Sequence, residues 1–225
     1  MKYFQIFFLI LFLVFVNCTL KSDHNIPSNH EKSTTQKNDT LKNKINSKEQ
    51  VSQTTGIDIQ PFESISDELV DFVYKELLKV HPDVSLLNTI PLPKRAYYPK
   101  RNRYRADTLI HIMRSQTKDG RVTIGLTNKD ISTDNGNIPD WGVMGLGYQP
   151  GKSCVVSTFR LSKNNLKEQY FKVAIHELGH TQGLPHCPIK TCMMTDAEGK
   201  NNTDNENGFC EKCKKHLNNK GWNLI

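Results

Sequence analysis

Three histidines fall within one short stretch of this chain, HELGHTQGLPH at residues 176–186, and together they place strict demands on its folding. Residues four apart on an α-helix lie on the same face, so His176 and His180 predict a helix that presents two imidazoles to one ion. Gly183 can adopt the positive φ that ends a helix, and the chain can then bring His186 back beneath the metal. The stretch predicts a metal site, and zinc is the ion expected for three histidines.

Glu177 directly follows the first histidine, about 100° further round the helix. From there its carboxylate can reach a water on the metal without binding the metal itself, which is the position of a general base. Three protein ligands leave a fourth coordination position open, as in catalytic zinc sites. The alternative is a helix whose histidines serve only packing, since HExxH alone specifies few letters.

The N-terminal residues have the pattern of an export signal. Lys2 precedes an uninterrupted apolar run, Ile6–Val16, which is too short to span a bilayer comfortably and is typical of a signal peptide. Cys18 follows, and its position resembles a bacterial lipoprotein signal, in which the cysteine is lipidated and becomes the mature N-terminus. We predict a signal peptide at residues 1–18 and an exported, membrane-anchored lipoprotein of the cell envelope. Plain cleavage and an uncleaved anchor are the alternatives.

Residues 19–54 are rich in Lys, Asn, Ser, Thr and Gln and almost lack aromatic side chains. Such a segment cannot bury enough apolar surface to offset the entropy lost on ordering, so we predict a disordered tether. Residues 55–225 are long enough for one hydrophobic core and are predicted to form a single domain.

Apolar periodicity within residues 55–225 predicts alternating strands and helices. Strands are expected at 56–61, 84–90, 122–126, 143–148 and 154–158, and helices at 65–78, 106–114 and from about 166 through the histidine motif. This alternation is typical of an α/β fold with a mixed sheet. Cys154, in the last of these strands, is expected to be a buried, small apolar side chain.

Two polar stretches have compositions that can serve other functions. Residues 94–105 interleave Arg and Lys with Tyr, and on a chain of net charge +7 such a surface can bind nucleic acid. One short run is more typical of a solvated loop, so we expect no nucleic-acid partner. Asp and Asn side chains between Asp130 and Asp140 match no EF-hand spacing and are expected to form a polar loop between two strands.

The series HExxHxxGxxHCx4CxM with a distal CxxC, which runs from His176 to Cys213, resembles the archaemetzincin family of zinc metalloproteases. The cysteines of this series are Cys187, Cys192, Cys210 and Cys213. The resemblance is specific within this series and only general upstream of it, where the order of strands and helices is compatible with the family.

The resemblance implies a metzincin-like zincin, with a mixed sheet and the active-site helix in its upper half and a small, irregular, zinc-stabilised C-terminal part. It implies that His176, His180 and His186 bind the catalytic zinc, that Glu177 is the general base, and that Met194 forms the Met-turn beneath the metal. The four cysteines would bind a second, structural zinc. The implied activity is that of an aminopeptidase or a protease of narrow specificity.

Two alternatives stay open. Exported cysteines usually pair, so two disulfides are the alternative to a four-cysteine zinc site. A non-catalytic zinc-binding or interaction module is the alternative to an enzyme, although a purely structural site does not require Glu177. We expect a monomer that acts on peptide or protein substrates.

Overall fold

The computed structural model describes residues 56–225, and the predicted signal peptide, the lipidation site at Cys18 and the tether lie outside the described residues. Its strands are β1 (Gly56–Pro61), β2 (Val84–Leu86), β3 (Tyr97–Tyr98), β4 (Arg103–Arg105), β5 (Arg121–Thr127), β6 (Ile131–Asn135), β7 (Ile138–Val143), β8 (Gly145–Gly147) and β9 (Ser153–Ser157). Its α-helices are α1 (Asp67–Val80), α2 (Ala106–Gln116), α3 (Leu166–Thr181) and α4 (Glu211–Asn218). None of these helices has the length and apolar character needed to cross a bilayer.

The main sheet has five strands in the order β2-β1-β5-β9-β8. Strand β1 is parallel to β2 and β5, and β5 is parallel to β9, whereas the edge strand β8 is antiparallel to β9. The predicted mixed sheet and α/β class are therefore confirmed. Because β8 ends the sheet, it leaves one hydrogen-bonding edge without a neighbouring strand among the described residues.

Helices pack on both faces of this sheet, so every residue of the central strands β1 and β9 is buried. Ile57 and Ile59 of β1 are fully buried in the core shared with α1 and α3. Helix α1 begins at the N-cap Ser66, whose hydroxyl accepts a hydrogen bond from the Leu69 N–H. On the other face, Val155 of β9 packs in a second cluster with the buried side chains of α2.

The prediction of a polar loop between β5 and β8 was wrong. Residues 131–143 form a β-hairpin, β6 and β7, within a second sheet of order β3-β4-β6-β7. The carboxylates of this stretch pair with arginines: Arg103 Nε donates to Asp130 at 2.6 Å, and Arg103 Nη1 donates to Asp140 at 3.2 Å. The prediction of a solvated loop at residues 94–105 was also wrong, because this stretch contains β3 and β4, which belong to the same sheet.

The other predicted elements are close to those observed. Strand β2 ends at Leu86, earlier than predicted, and Ile90 forms only an isolated bridge with Phe62. Cys154 is fully buried, as predicted. Helix α3 begins at Leu166 and carries the first two histidines on its last turns.

Candidate active site

The C-terminal end of α3 is closed by a Schellman motif that brings the chain back beneath the helix. Gly183 has φ +95°, its N–H donates to the His180 carbonyl, and the Leu184 N–H donates to the Gly179 carbonyl at 3.0 Å. A residue with a Cβ is strained at this φ, so the glycine in the motif serves the turn. As a result the Leu184 carbonyl lies 2.8 Å from His180 Nδ1.

Both histidines of α3 are fixed by backbone carbonyls through the same ring nitrogen. His180 Nδ1–H donates to the Leu184 carbonyl, and His176 Nδ1–H donates to the Met193 carbonyl at 2.6 Å. Burial and the neighbouring His180 lower the pKa of His176 to about 4, and burial lowers the pKa of His180. Both rings are therefore neutral at pH 7, with their protons on Nδ1 and bare lone pairs on Nε2.

These two lone pairs face each other, because the Nε2 atoms of His176 and His180 lie 3.0 Å apart. Neither nitrogen has a proton to donate across that gap. A cation bound to both removes the repulsion, and two nitrogens on a tetrahedral zinc lie roughly 3.3 Å apart. The spacing of the two nitrogens thus fits a zinc ion, and this evidence is independent of the sequence motif.

His186 completes the group from the loop that follows the helix. Its ring centroid lies 4.8 Å from that of His180, and ligand atoms of the three histidines all lie within 4.8 Å of one another. His186 Nδ1 faces the Asp196 carboxylate at 3.4 Å, which leaves Nε2 for a metal. A hydrogen bond from the Glu198 N–H holds the pKa of Asp196 below its usual range, so this partner is anionic.

Glu177 is a residue of α3, and its side chain is buried against the edge strand β8. A Cβ on Gly145 would lie 2.6 Å from the Glu177 Cγ and Oε1, and one on Gly147 would lie 2.6 Å from the Glu177 carbonyl oxygen. Only glycine at these two alternate positions lets the strand approach so closely. Burial raises the pKa of Glu177 to about 8, although a hydrogen bond from the Gly147 N–H acts to lower it. A nearby cation favours the charged carboxylate and opposes this rise.

Met194 packs against helix α3, which carries His176 and His180. The side chain is fully buried, and a Cβ on Gly179 would lie 2.5 Å from its sulfur. The second glycine of HELGH therefore makes room for Met194 against the helix.

The four predicted cysteines form a second group. The sulfur atoms of Cys187, Cys192, Cys210 and Cys213 all lie within 4.8 Å of one another, and those of Cys187 and Cys210 are 3.8 Å apart. Disulfide sulfurs lie at about 2.05 Å, whereas the edges of a tetrahedral four-sulfur zinc site measure roughly 3.8 Å. All four thiols are free here, and their spacing suits a metal.

The structure thus brings together every site residue that the sequence predicted, in two groups. Sequence reasoning missed Asp196, Gly145 and Gly147. The Gly-Leu-Gly spacing of β8 was the available signal, since two glycines on one face of a strand indicate a close neighbour.

Comparisons with known proteins agree with this geometry. The model of Peptidase family M54 matches residues 55–219. Archaemetzincin of Methanocaldococcus jannaschii is 33% identical over 173 residues, which cover 72% of this chain and 93% of that protein. Archaemetzincin of Haloarcula marismortui is 29% identical over 175 residues, which cover 72% of this chain and 98% of that protein.

Solved structures show the same fold. The chain resembles a crystal structure of archaemetzincin from Archaeoglobus fulgidus complexed with malonate, with 28% identity and a TM-score of 0.62 over 72% of this chain and 99% of that chain. It also resembles archaemetzincin from Methanopyrus kandleri, with 25% identity and a TM-score of 0.63 over 75% of this chain and 96% of that chain. The chain belongs to the archaemetzincins, peptidase family M54, and is a zinc metallopeptidase, a hydrolase.

Proposed function

We propose that this chain hydrolyses peptide bonds, with zinc held by His176, His180 and His186 and with Glu177 as the general base. The observation that carries the proposal is the pair of Nε2 lone pairs 3.0 Å apart, each fixed by a carbonyl on the opposite ring nitrogen. Zinc, when bound, acidifies a water and polarises the scissile carbonyl.

Glu177 would do the proton transfers. Its carboxylate takes a proton from the attacking water and delivers it to the amine that leaves as the peptide bond breaks. The hydrogen bond from the Gly147 N–H holds the carboxylate in place. Since Glu177 and the three histidines line one cavity of about 810 Å³, substrate can reach all four groups together.

The edge strand β8 offers a route for the substrate. It pairs with β9 on one side, and its three residues line the same cavity as Glu177. An extended peptide can add to such an edge as a further strand, with backbone hydrogen bonds that do not depend on its sequence. We propose that this edge positions the scissile bond, in an aminopeptidase or in a protease of narrow specificity.

We further propose a second, structural zinc on Cys187, Cys192, Cys210 and Cys213. The 3.8 Å separation of the Cys187 and Cys210 sulfurs supports it. Burial raises the pKa of Cys210. Hydrogen bonds from the Cys213 backbone and from neighbouring thiols outweigh this effect and lower the pKa to about 7. A thiol that loses its proton this readily is a ready first ligand.

We also propose that the chain is exported and lipid-anchored through Cys18, on the strength of the signal-like N-terminus. Mass spectrometry of the protein in the membrane fraction tests this. A diacylated cysteine is expected, and an unmodified Cys18 would remove the anchor.

A peptide mixture tests the main proposal. Zinc-loaded protein is incubated with proteome-derived peptides, and new termini are identified by mass spectrometry, with free and N-acetylated peptides compared. We expect cleavage that stops with a zinc chelator and returns when zinc is added. Cleavage that persists after the zinc is stripped would contradict the proposal.

Gly145→Ala should lower kcat by about a hundredfold, because a methyl group there meets Glu177 and displaces the carboxylate by a fraction of an ångström or more. Zinc content and unfolding temperature, measured in parallel, should change little. Gly136→Asn is the matched control, since a Cβ at Gly136 meets open space and Asn tolerates its φ of +56°. Wild-type activity in Gly145→Ala would show that β8 does not position Glu177.

A further inference from the structure

The active-site cavity contains a buried carboxylate that the proposed mechanism does not use. Val173, Thr203 and Glu206 line the same cavity as the three histidines, and they are 5%, 3% and 7% exposed. These three residues are largely covered by protein, whereas other residues of the lining, such as Lys200, are exposed. Glu206 is therefore largely covered by protein, while its carboxylate oxygens stay open to the cavity.

Glu206 has no charged partner at ion-pair distance among residues 56–225. The nearest cation, Lys172, donates instead to two backbone carbonyls, those of Thr203 at 2.8 Å and of Glu206 itself at 2.7 Å. No side-chain hydrogen bond to the Glu206 carboxylate is present in the described part of the chain either. Burial raises its pKa to about 7, with Lys172 opposing the rise. A largely buried carboxylate that has no protein partner and is open to the cavity is suited to an incoming cationic partner.

The other carboxylates of the cavity already have protein partners. Asp196 faces His186, Glu198 forms an ion pair with Lys190 at 2.9 Å, and Glu177 accepts the Gly147 N–H. Glu206 is thus the carboxylate of this cavity that is left for a ligand.

The position of Glu206 relative to the metal site follows from helix α3. Lys172 lies four residues before His176, one turn toward the N-terminus on the same face, a rise of about 6 Å. Because Lys172 is bonded to the Glu206 carbonyl, Glu206 lies beside this turn. A group that binds there is separated from the reacting bond by no more than the reach of one or two substrate residues.

We propose that the Glu206 carboxylate binds a cationic group of the peptide substrate, either a Lys or Arg side chain or the free α-amino group. The proposal rests on the proposed peptidase function and adds a substrate preference to it. Both sources present N–H donors and a positive charge, which the carboxylate satisfies by a charge-assisted hydrogen bond.

Matched peptides test the preference and separate the two sources. Each peptide cleaved by the zinc-loaded enzyme is compared with a version that has norleucine in place of one lysine, and with a version that is N-acetylated. We expect one of these changes to lower kcat/KM by about ten- to a hundredfold. Loss on lysine replacement assigns Glu206 to a side chain, and loss on acetylation assigns it to the α-amino group.

Glu206→Gln should abolish this discrimination while it leaves kcat/KM for the neutral peptide within a few fold of wild type. Glu198→Gln is the control, because Glu198 lines the same cavity but is exposed, and it should keep the preference. If the ratio of kcat/KM between the cationic and the neutral peptide is the same in Glu206→Gln as in wild type, or if wild type shows no preference, the inference is overturned and the peptidase function is left intact.

Binding provides a readout that does not need turnover. Calorimetric titration of the zinc-loaded Glu177→Gln protein should show about tenfold tighter binding of the cationic peptide than of its neutral match, and Glu206→Gln in that background should remove the difference. Equal binding of both peptides would overturn the inference. Failure of the wild type to cleave any peptide, with the binding difference present, would instead refute the proposed function alone.

Discussion

Replacing Glu177 with glutamine is expected to lower kcat by roughly 10²–10⁴-fold while the catalytic zinc stays bound. Glutamine has the same shape and its amide oxygen can still accept the Gly147 N–H, but it cannot take a proton from water. Zinc should remain because the three histidines, and not Glu177, are the proposed ligands. Turnover of a cleaved peptide, together with the zinc content of the same sample, measures both effects.

Glu168→Gln is the control for this change, since Glu168 lies in the first turn of the same helix and is exposed. It should leave kcat and zinc content unaltered. A Glu177→Gln protein that turns over at the wild-type rate would refute the general-base assignment. Loss of zinc in that protein would mean that Glu177 acts as a ligand.

Cys213→Ala is expected to remove the structural zinc and to destabilise the C-terminal part severely. Structural zinc sites contribute on the order of 10 kcal/mol or more, which is comparable to the whole free energy of unfolding of a typical domain. The loss should also reach the catalytic site. Cys192 directly precedes Met193, whose carbonyl orients His176, and the Met193 N–H is held by the Gly208 carbonyl at 2.9 Å.

The measurements are zinc content per chain and the thermal unfolding temperature. Wild type should contain about two zinc ions, and Cys213→Ala at most one, with a much lower unfolding temperature. Cys154→Ala is the matched control, because Cys154 is a free, buried thiol outside the cluster and should keep both zinc ions. Two zinc ions in Cys213→Ala would contradict the assignment of Cys213 as a ligand. A wild type with one zinc and no reactive thiols in the cluster would favour the alternative of two disulfides.

The histidine motif could be interpreted from sequence because its geometry is local. The i, i+4 spacing of His176 and His180, the Gly183 turn and the return to His186 all depend on neighbouring residues. The central strand β1 could also be predicted, since Ile57 and Ile59 alternate with polar residues, a pattern typical of a strand.

The features that could not be predicted depend on contacts between distant residues. Asp130 and Asp140 have the composition of a polar turn, and their ion pairs with Arg103 and other arginines form only in the folded chain. Glu206 lies in a loop with no local pattern, and its place in the cavity depends on Lys172, more than thirty residues away. The roles of such side chains cannot be predicted from neighbouring residues, because they depend on contacts that form only in the folded chain.

Anomalous diffraction at the zinc edge, from crystals of the zinc-loaded protein, tests the central claim most directly. We expect a peak bonded to the Nε2 atoms of His176, His180 and His186, with a water at the remaining position beside Glu177. A fourth protein ligand in place of that water, or three imidazoles turned away from any common ion, would contradict the proposed hydrolytic centre.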